Sequence, residues 1–255
     1  MRRFCVLTTG RTGSNALFDG FARHPDIAVP TLDGGTTNSE LLHPRVLDRY
    51  RQLLAGHGER ATPDAASLVD AFFDSRRDAA FAGFKLMPWQ HPDIASFILR
   101  SDIKRIVLSR DDLPSMLASW FIANRFDSWQ KSSRAVVAEW TFGRAHVAEL
   151  RRHLIFVLHS KHQLDRVQGA IELRYEDLCE PGFCSEPLDE FFGRHVALPE
   201  PKAATQGREY LRNWQEFVDF VNDETAKLRP RIVAGDFDHI PALARADATR
   251  SPAPE

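Results

Sequence analysis

The segment that most constrains this chain is its start. The apolar run Phe4-Cys5-Val6-Leu7 passes through Thr8-Thr9 into Gly10-Arg11-Thr12-Gly13-Ser14 and resumes as Asn15-Ala16-Leu17. A short apolar run broken by a Gly/Thr/Ser turn and resumed at helical spacing predicts a buried strand over 4–9, a tight turn and an amphipathic helix over 15–23. Backbone N–H groups at such a turn converge on an anion, and the helix dipole adds partial positive charge. Gly10 and Gly13 allow a phosphate to approach the backbone closely. The nucleoside-triphosphatase form of this loop needs a Lys directly after its last Gly and a hydroxyl on magnesium. Here Ser14 follows Gly13, and the cation, Arg11, precedes the turn. The loop therefore suits a phosphate that stays in place better than a γ-phosphoryl group transferred with metal help. An ordinary tight turn has the same local composition, so the downstream segments decide its meaning.

Three such segments follow. Arg105-Ile106-Val107-Leu108-Ser109 predicts a strand over 104–109, which ends in the turn Arg110-Asp111-Asp112 and leads into a helix over 113–124 carrying Ser119. The planar fork of an Arg and a neutral hydroxyl together suit a dianionic phosphate. Ile171-Glu172-Leu173-Arg174 predicts a late strand that runs into Tyr175-Glu176-Asp177-Leu178. The stretch 199–220 is basic, with Lys202, Thr205, Arg208 and Arg212 ahead of Asn213-Trp214-Gln215-Glu216-Phe217. Taken singly, each has a plainer reading: a solvated Arg at a strand end, a Ser bonded to its own helical turn, an acidic strand end, an exposed basic linker.

Taken in order, they resemble the sulfotransferases that use 3′-phosphoadenosine 5′-phosphosulfate (PAPS), in particular the bacterial trehalose and nodulation-factor type. Arg11-Thr12-Gly13-Ser14 fits the family's R-[ST]-G-[ST] phosphosulfate loop. The resemblance implies that Gly10, Arg11, Thr12, Gly13, Ser14 and Asn15 hold the 5′-phosphosulfate, and that Arg110 and Ser119 hold the 3′-phosphate. Ser119 stands nine residues after Arg110, one more than in the widespread cytosolic members. Tyr175-Glu176-Asp177-Leu178 matches a turn that braces the phosphate-binding elements, with Tyr175 packing and the acidic pair orienting nearby cations. Lys202 and Arg208 match a basic loop that closes over the nucleotide. The implied fold is a P-loop-like three-layer α/β fold, a central parallel sheet flanked by helices. The implied reaction is in-line attack of an acceptor hydroxyl, of a carbohydrate or glycolipid, on sulfur, with no metal required.

Such a transfer needs a base for the acceptor's proton. Glu40, after the Thr/Asn-rich loop, is the first choice and His43 the second; a carboxylate opening a helix is the plainer reading of Glu40. Lys85, in Gly83-Phe84-Lys85-Leu86, interrupts an apolar strand predicted over 80–87. A buried cation is costly unless paired, so Lys85 either serves the sulfuryl group or acceptor, as the resemblance implies, or snorkels to water. Trp89, His91, Trp120 and Trp129 are candidates to line an acceptor pocket, with core packing the stronger expectation for most of them.

Composition narrows the class. The 255 residues carry 33 basic and 35 acidic side chains, a formal net charge of -2, which argues against a general nucleic-acid surface. A first strand of about six residues is too short for a secretory core or a membrane span, and no other stretch approaches ~20 apolar residues. Cys5, Cys179 and Cys184 form no C-x-x-C pair, so free thiols in a cytoplasmic protein are expected, although Cys179 and Cys184 are near enough in sequence to pair. Alternating apolar and amphipathic runs predict one α/β domain over 1–241 and a disordered tail over 242–255. The pattern adds a short strand at 27–29, helices at 45–55, 65–76 and 91–99, a helical stretch over 132–167 interrupted near His153, a short helix at 186–193 and a last helix at 213–227. The resemblance, since some bacterial relatives pair, also admits a homodimer, which no heptad or exposed strand in the sequence predicts. A P-loop phosphotransferase or nucleotide kinase, and a nucleotide-binding protein without chemistry, are the alternatives.

Overall fold

The computed structural model describes residues 1–30, 40–41, 65–87, 102–125, 139–198 and 206–236. The expected helices at 45–55 and 91–99 and the tail at 242–255 lie outside the described residues. The chain forms two compact units, Met1–Asp111 with Arg166–Ala203, and Asp112–Asp165 with Ala204–Glu255.

The first unit is a parallel sheet. Its strands are β1 (Arg2–Thr8), β2 (Ile27–Ala28), β3 (Phe81–Leu86), β4 (Ile103–Ser109) and β5 (Ile171–Arg174), in the order β2-β3-β1-β4-β5. Every described pairing is parallel. A parallel sheet with helices on both faces buries its central strands completely, which is why β1 and β3 read as continuous apolar runs. On one face, helices α1 (Ser14–Phe21) and, near the chain's end in this unit, Glu186–Phe192 cover an aromatic core. Phe4 packs edge-on to Phe21 at 5.3 Å and to Phe192 at 5.5 Å, and Phe81 meets Phe192 at 4.9 Å. The other face takes helix α2 (Ala65–Asp74), whose Phe72 and Phe73 lie 6.1 Å and 5.9 Å from Phe84.

Gly83 is a packing requirement. A side chain there would overlap the Phe4 ring, which occupies the space on the α1 face. The sheet also reverses its direction of growth at β1: the chain first places β2 at one edge and β3 between β2 and β1, then crosses over to add β4 and β5 on the other side. In open α/β sheets the crevice at the carboxyl ends of the strands at such a reversal is where ligands bind. The turns after β1 and β4 meet there.

The second unit is helical: α3 (Leu113–Arg125), α4 (Arg144–Leu164), and in its C-terminal part the short helix Gln206–Glu209 followed by Trp214–Val233. Its core includes Leu117, Phe121, Trp140, Leu154, Phe217 and Val221. Asn213 clips the chain into place, accepting the Phe142 N–H at 2.7 Å and donating to the Phe142 carbonyl at 2.9 Å. Trp140 pairs with Leu211 in an isolated parallel bridge.

Two boundaries differ from expectation. There is no interruption at His153; α4 runs unbroken because Leu150, Leu154, Val157 and Leu158 keep a helical apolar stripe. The residues just before it, 139–143, are not helical, and 126–138 lie outside the described residues. The last helix continues past 227 to Val233, since Leu228 and Ile232 prolong the buried stripe and Pro230 falls in its final turn. No described helix is long and apolar enough to cross a membrane. All three cysteines are free thiols.

His153 stacks flat on the Trp120 indole, with centroids 3.6 Å apart and planes 10° off parallel. Burial lowers its pKa to about 3. The folded state therefore keeps this imidazole neutral over a range in which the unfolded chain protonates it. That contribution is complete above about pH 6.5 and is lost progressively as pH falls toward 3.

Two outcomes are expected. Gly83→Ala should destabilise the protein by about 1–3 kcal/mol through overpacking against Phe4, read from the urea midpoint. His153→Phe should flatten the fall in stability between pH 7 and pH 5 relative to wild type, measured by denaturant melts at the two pH values.

Candidate functional site

The turn after β1 is held from beneath by two buried hydroxyls. Thr8 Oγ1 donates to the Leu108 carbonyl on β4 at 2.9 Å and accepts from the Thr12 hydroxyl, whose oxygen also lies 3.1 Å from the Thr9 carbonyl. Both Thr8 and Thr12 are fully buried. With Thr12 anchored inward, the backbone on either side adopts left-handed geometry, with φ of 64° at Arg11 and 76° at Gly13. Gly13 meets this at no steric penalty, whereas Arg11 is a side-chain-bearing residue in a disfavoured region, a kind of strain that clusters at ligand sites. Gly13 also caps α1 without a side-chain hydrogen bond, so the helix opens with backbone N–H groups facing the turn.

Gly10 differs from Gly13. It has no positive φ, and a side chain at this position would meet nothing within 4 Å. The conformational requirement expected of both glycines thus falls on Gly13, while Gly10 borders open space beside the turn.

Arg110, at the end of β4, is 3 % exposed and donates to the Arg11 carbonyl at 3.1 Å. Its guanidinium lies over the Tyr175 ring, 4.2 Å from the centroid. Tyr175 opens the short helix Tyr175–Leu178 after β5. The next residue, Glu176, accepts the Asp111 N–H at 2.9 Å, and Arg174 pairs with the Asp111 carboxylate at 2.9 Å. The acidic turn after β5 therefore braces the turn after β4, which in turn supports the turn after β1. The family resemblance implies that Tyr175 packs and hydrogen-bonds within a bracing turn. Its use as a platform for Arg110 would have followed from knowing that β4 and β5 are neighbours.

Lys85 does not snorkel. It is 4 % exposed, and its register on β3, opposite Val6, points it toward α1. Its ammonium donates to Asn15 Oδ1 at 2.9 Å and to Ser14 Oγ at 3.4 Å, and lies 3.0 Å from Glu40 Oε1. Glu40 also pairs with Lys85 as an isolated parallel bridge, so backbone and side chain hold it at the same place.

Burial lowers the Arg11 pKa, the adjacent Arg110 charge lowers it further, and Tyr175 opposes the shift. Two guanidinium groups held close and partly desolvated at a helix N-terminus are relieved by an anion between or beside them.

The structure thus brings together Gly10, Arg11, Thr12, Gly13, Ser14, Asn15, Glu40, Lys85 and Arg110 within the α/β unit. Ser119 is buried on α3 and Arg208 is exposed on Gln206–Glu209, both in the helical unit. Trp120 of that unit is partly buried with its ring against His153. His43, Lys202, Trp89, His91 and Trp129 lie outside the described residues.

Compared with known proteins, the chain matches no protein-family model and no curated protein.

The two glycines should respond differently to the same substitution. Gly13→Ala is expected to destabilise the fold by about 1–2 kcal/mol, because a Cβ is strained at its φ. Gly10→Ala should leave stability within about 0.5 kcal/mol of wild type. Urea midpoints of the two variants make the comparison.

Proposed function

We propose that this protein is a sulfotransferase with a P-loop-like fold, moving the sulfuryl group of PAPS to an acceptor hydroxyl, of a carbohydrate or glycolipid. The observation that carries this reading is the convergence, at the carboxyl end of a reversing parallel sheet, of an anion-cradling turn and a carboxylate–ammonium pair. A phosphate cradle alone serves many proteins; a carboxylate placed beside its helix N-terminus provides in addition a base for a hydroxyl.

The roles follow from position. The amides at the start of α1, with Arg11, take the 5′-phosphosulfate and the charge that develops on the phosphate as it leaves. Arg110 offers its fork to the 3′-phosphate while fixing the Arg11 carbonyl. Glu40 accepts the acceptor's proton as the acceptor oxygen bonds to sulfur. The bond from sulfur to the 5′-phosphate oxygen breaks, leaving adenosine 3′,5′-bisphosphate and a sulfate ester. Lys85 supplies positive charge beside the transferred group. The reaction as drawn asks for no metal ion, and Ser119, Lys202 and Arg208 are further candidates for the nucleotide.

Isothermal titration with adenosine 3′,5′-bisphosphate, set against ATP with magnesium, tests this. The bisphosphate is expected to bind at micromolar concentration and ATP much more weakly. Arg110→Ala, confirmed folded by circular dichroism, should lose at least about tenfold in bisphosphate affinity, the scale of a lost hydrogen bond to a charged group. A preference for ATP would redirect the assignment to a phosphotransferase. Tight bisphosphate binding without turnover over a broad acceptor panel, unaltered by Glu40→Gln, would point to a nucleotide-binding protein without chemistry.

A further inference from the structure

Lys85 has three ammonium protons and three oxygen partners, Glu40, Asn15 and Ser14. Two of those partners belong to the first turn of α1, the same turn whose N–H groups form the anion cradle. The Lys85 side chain is only 5 % exposed and the Glu40 side chain 20 %, so the charge pair is largely withdrawn from water and each group depends strongly on the other. A negatively charged sulfuryl group seated at this turn beside the α1 amides meets, in Lys85, an ammonium whose protons are already engaged.

We propose that the Lys85 ammonium is shared between base and donor: Glu40 and the donor's sulfuryl oxygens compete for it. This rests on the sulfotransferase reading and adds to it a coupling that no pairwise list of roles contains. While the sulfuryl group is absent, Lys85 holds the Glu40 carboxylate. When the sulfuryl group arrives, Lys85 turns part of its hydrogen bonding to it, and Glu40 is released to accept the acceptor's proton. The base is thereby available chiefly when the donor is in place, which favours donor binding before the acceptor and restrains attack by water on other occasions.

The coupling has a sign that a purely structural ion pair lacks. Donor affinity is measured calorimetrically without acceptor, with PAPS and with adenosine 3′,5′-bisphosphate, which lacks the sulfuryl group. Lys85→Met is expected to weaken PAPS by about tenfold or more while changing the bisphosphate less than about twofold. Glu40→Gln should tighten PAPS several-fold, and this gain should disappear when it is combined with Lys85→Met, the mark of a pair acting through one ammonium. Lys85→Arg, which keeps the charge and serves if Lys85→Met does not fold, should retain part of the preference for PAPS. Equal losses for both ligands in Lys85→Met, or a Glu40→Gln gain that persists without Lys85, would overturn the shared-ammonium proposal while leaving the sulfotransferase reading intact. Failure of the wild type to bind either ligand would remove both.

Discussion

The ring of Phe4 lies in the space that Gly83 leaves open, and the site depends on that fit. With the ring seated in the sheet, Phe21 and Phe192 close over it and α1 lies near the strands. Two residues along β3 from Gly83, on the same face, is Lys85, which the same geometry carries under the first turn of α1. One absent side chain thus couples core packing to the position of a charge. Dense interiors transmit such constraints because they have little room in which to absorb them.

Around this frame the charges are arranged in tiers. Thr8 and Thr12 bind the turn to β4 with neutral hydrogen bonds. Arg110 then spans from the Tyr175 ring to the Arg11 carbonyl, so a cation does structural work through its donors while keeping its charge near the turn. Glu176 and Arg174 secure the backbone and side chain of Asp111. The left-handed geometry at Arg11 persists because neighbouring contacts over-determine it, as strained residues require. The result is a turn whose backbone conformation is fixed by contacts from several elements.

The helical unit shows a different use of polar groups. Asn213 completes a short backbone pairing around Phe142, and a neutral His153 serves as an aromatic packing partner for Trp120. Neither reads from the sequence as a core element. Asparagine and histidine ordinarily signal surface or chemistry, and only their partners reveal a structural role.

The alternation of elements, the parallel sheet and the tight turn between the first strand and helix were all legible in the sequence, because each is encoded by residues close together in the chain. Apolar runs followed by Gly13 and Ser14 specify a strand, a tight turn and a helix start without reference to anything distant. What required the tertiary structure was every pairing across the sheet: Lys85 with Glu40 and Asn15, Arg110 with the Arg11 carbonyl and the Tyr175 ring, Phe4 with Gly83. These depend on strand order and register, which are set by the global packing of the sheet and its helices. Local spacing showed that Lys85 interrupts an apolar strand; only the register of β3 against β1 decided that it faces α1 and meets a carboxylate there instead of reaching water.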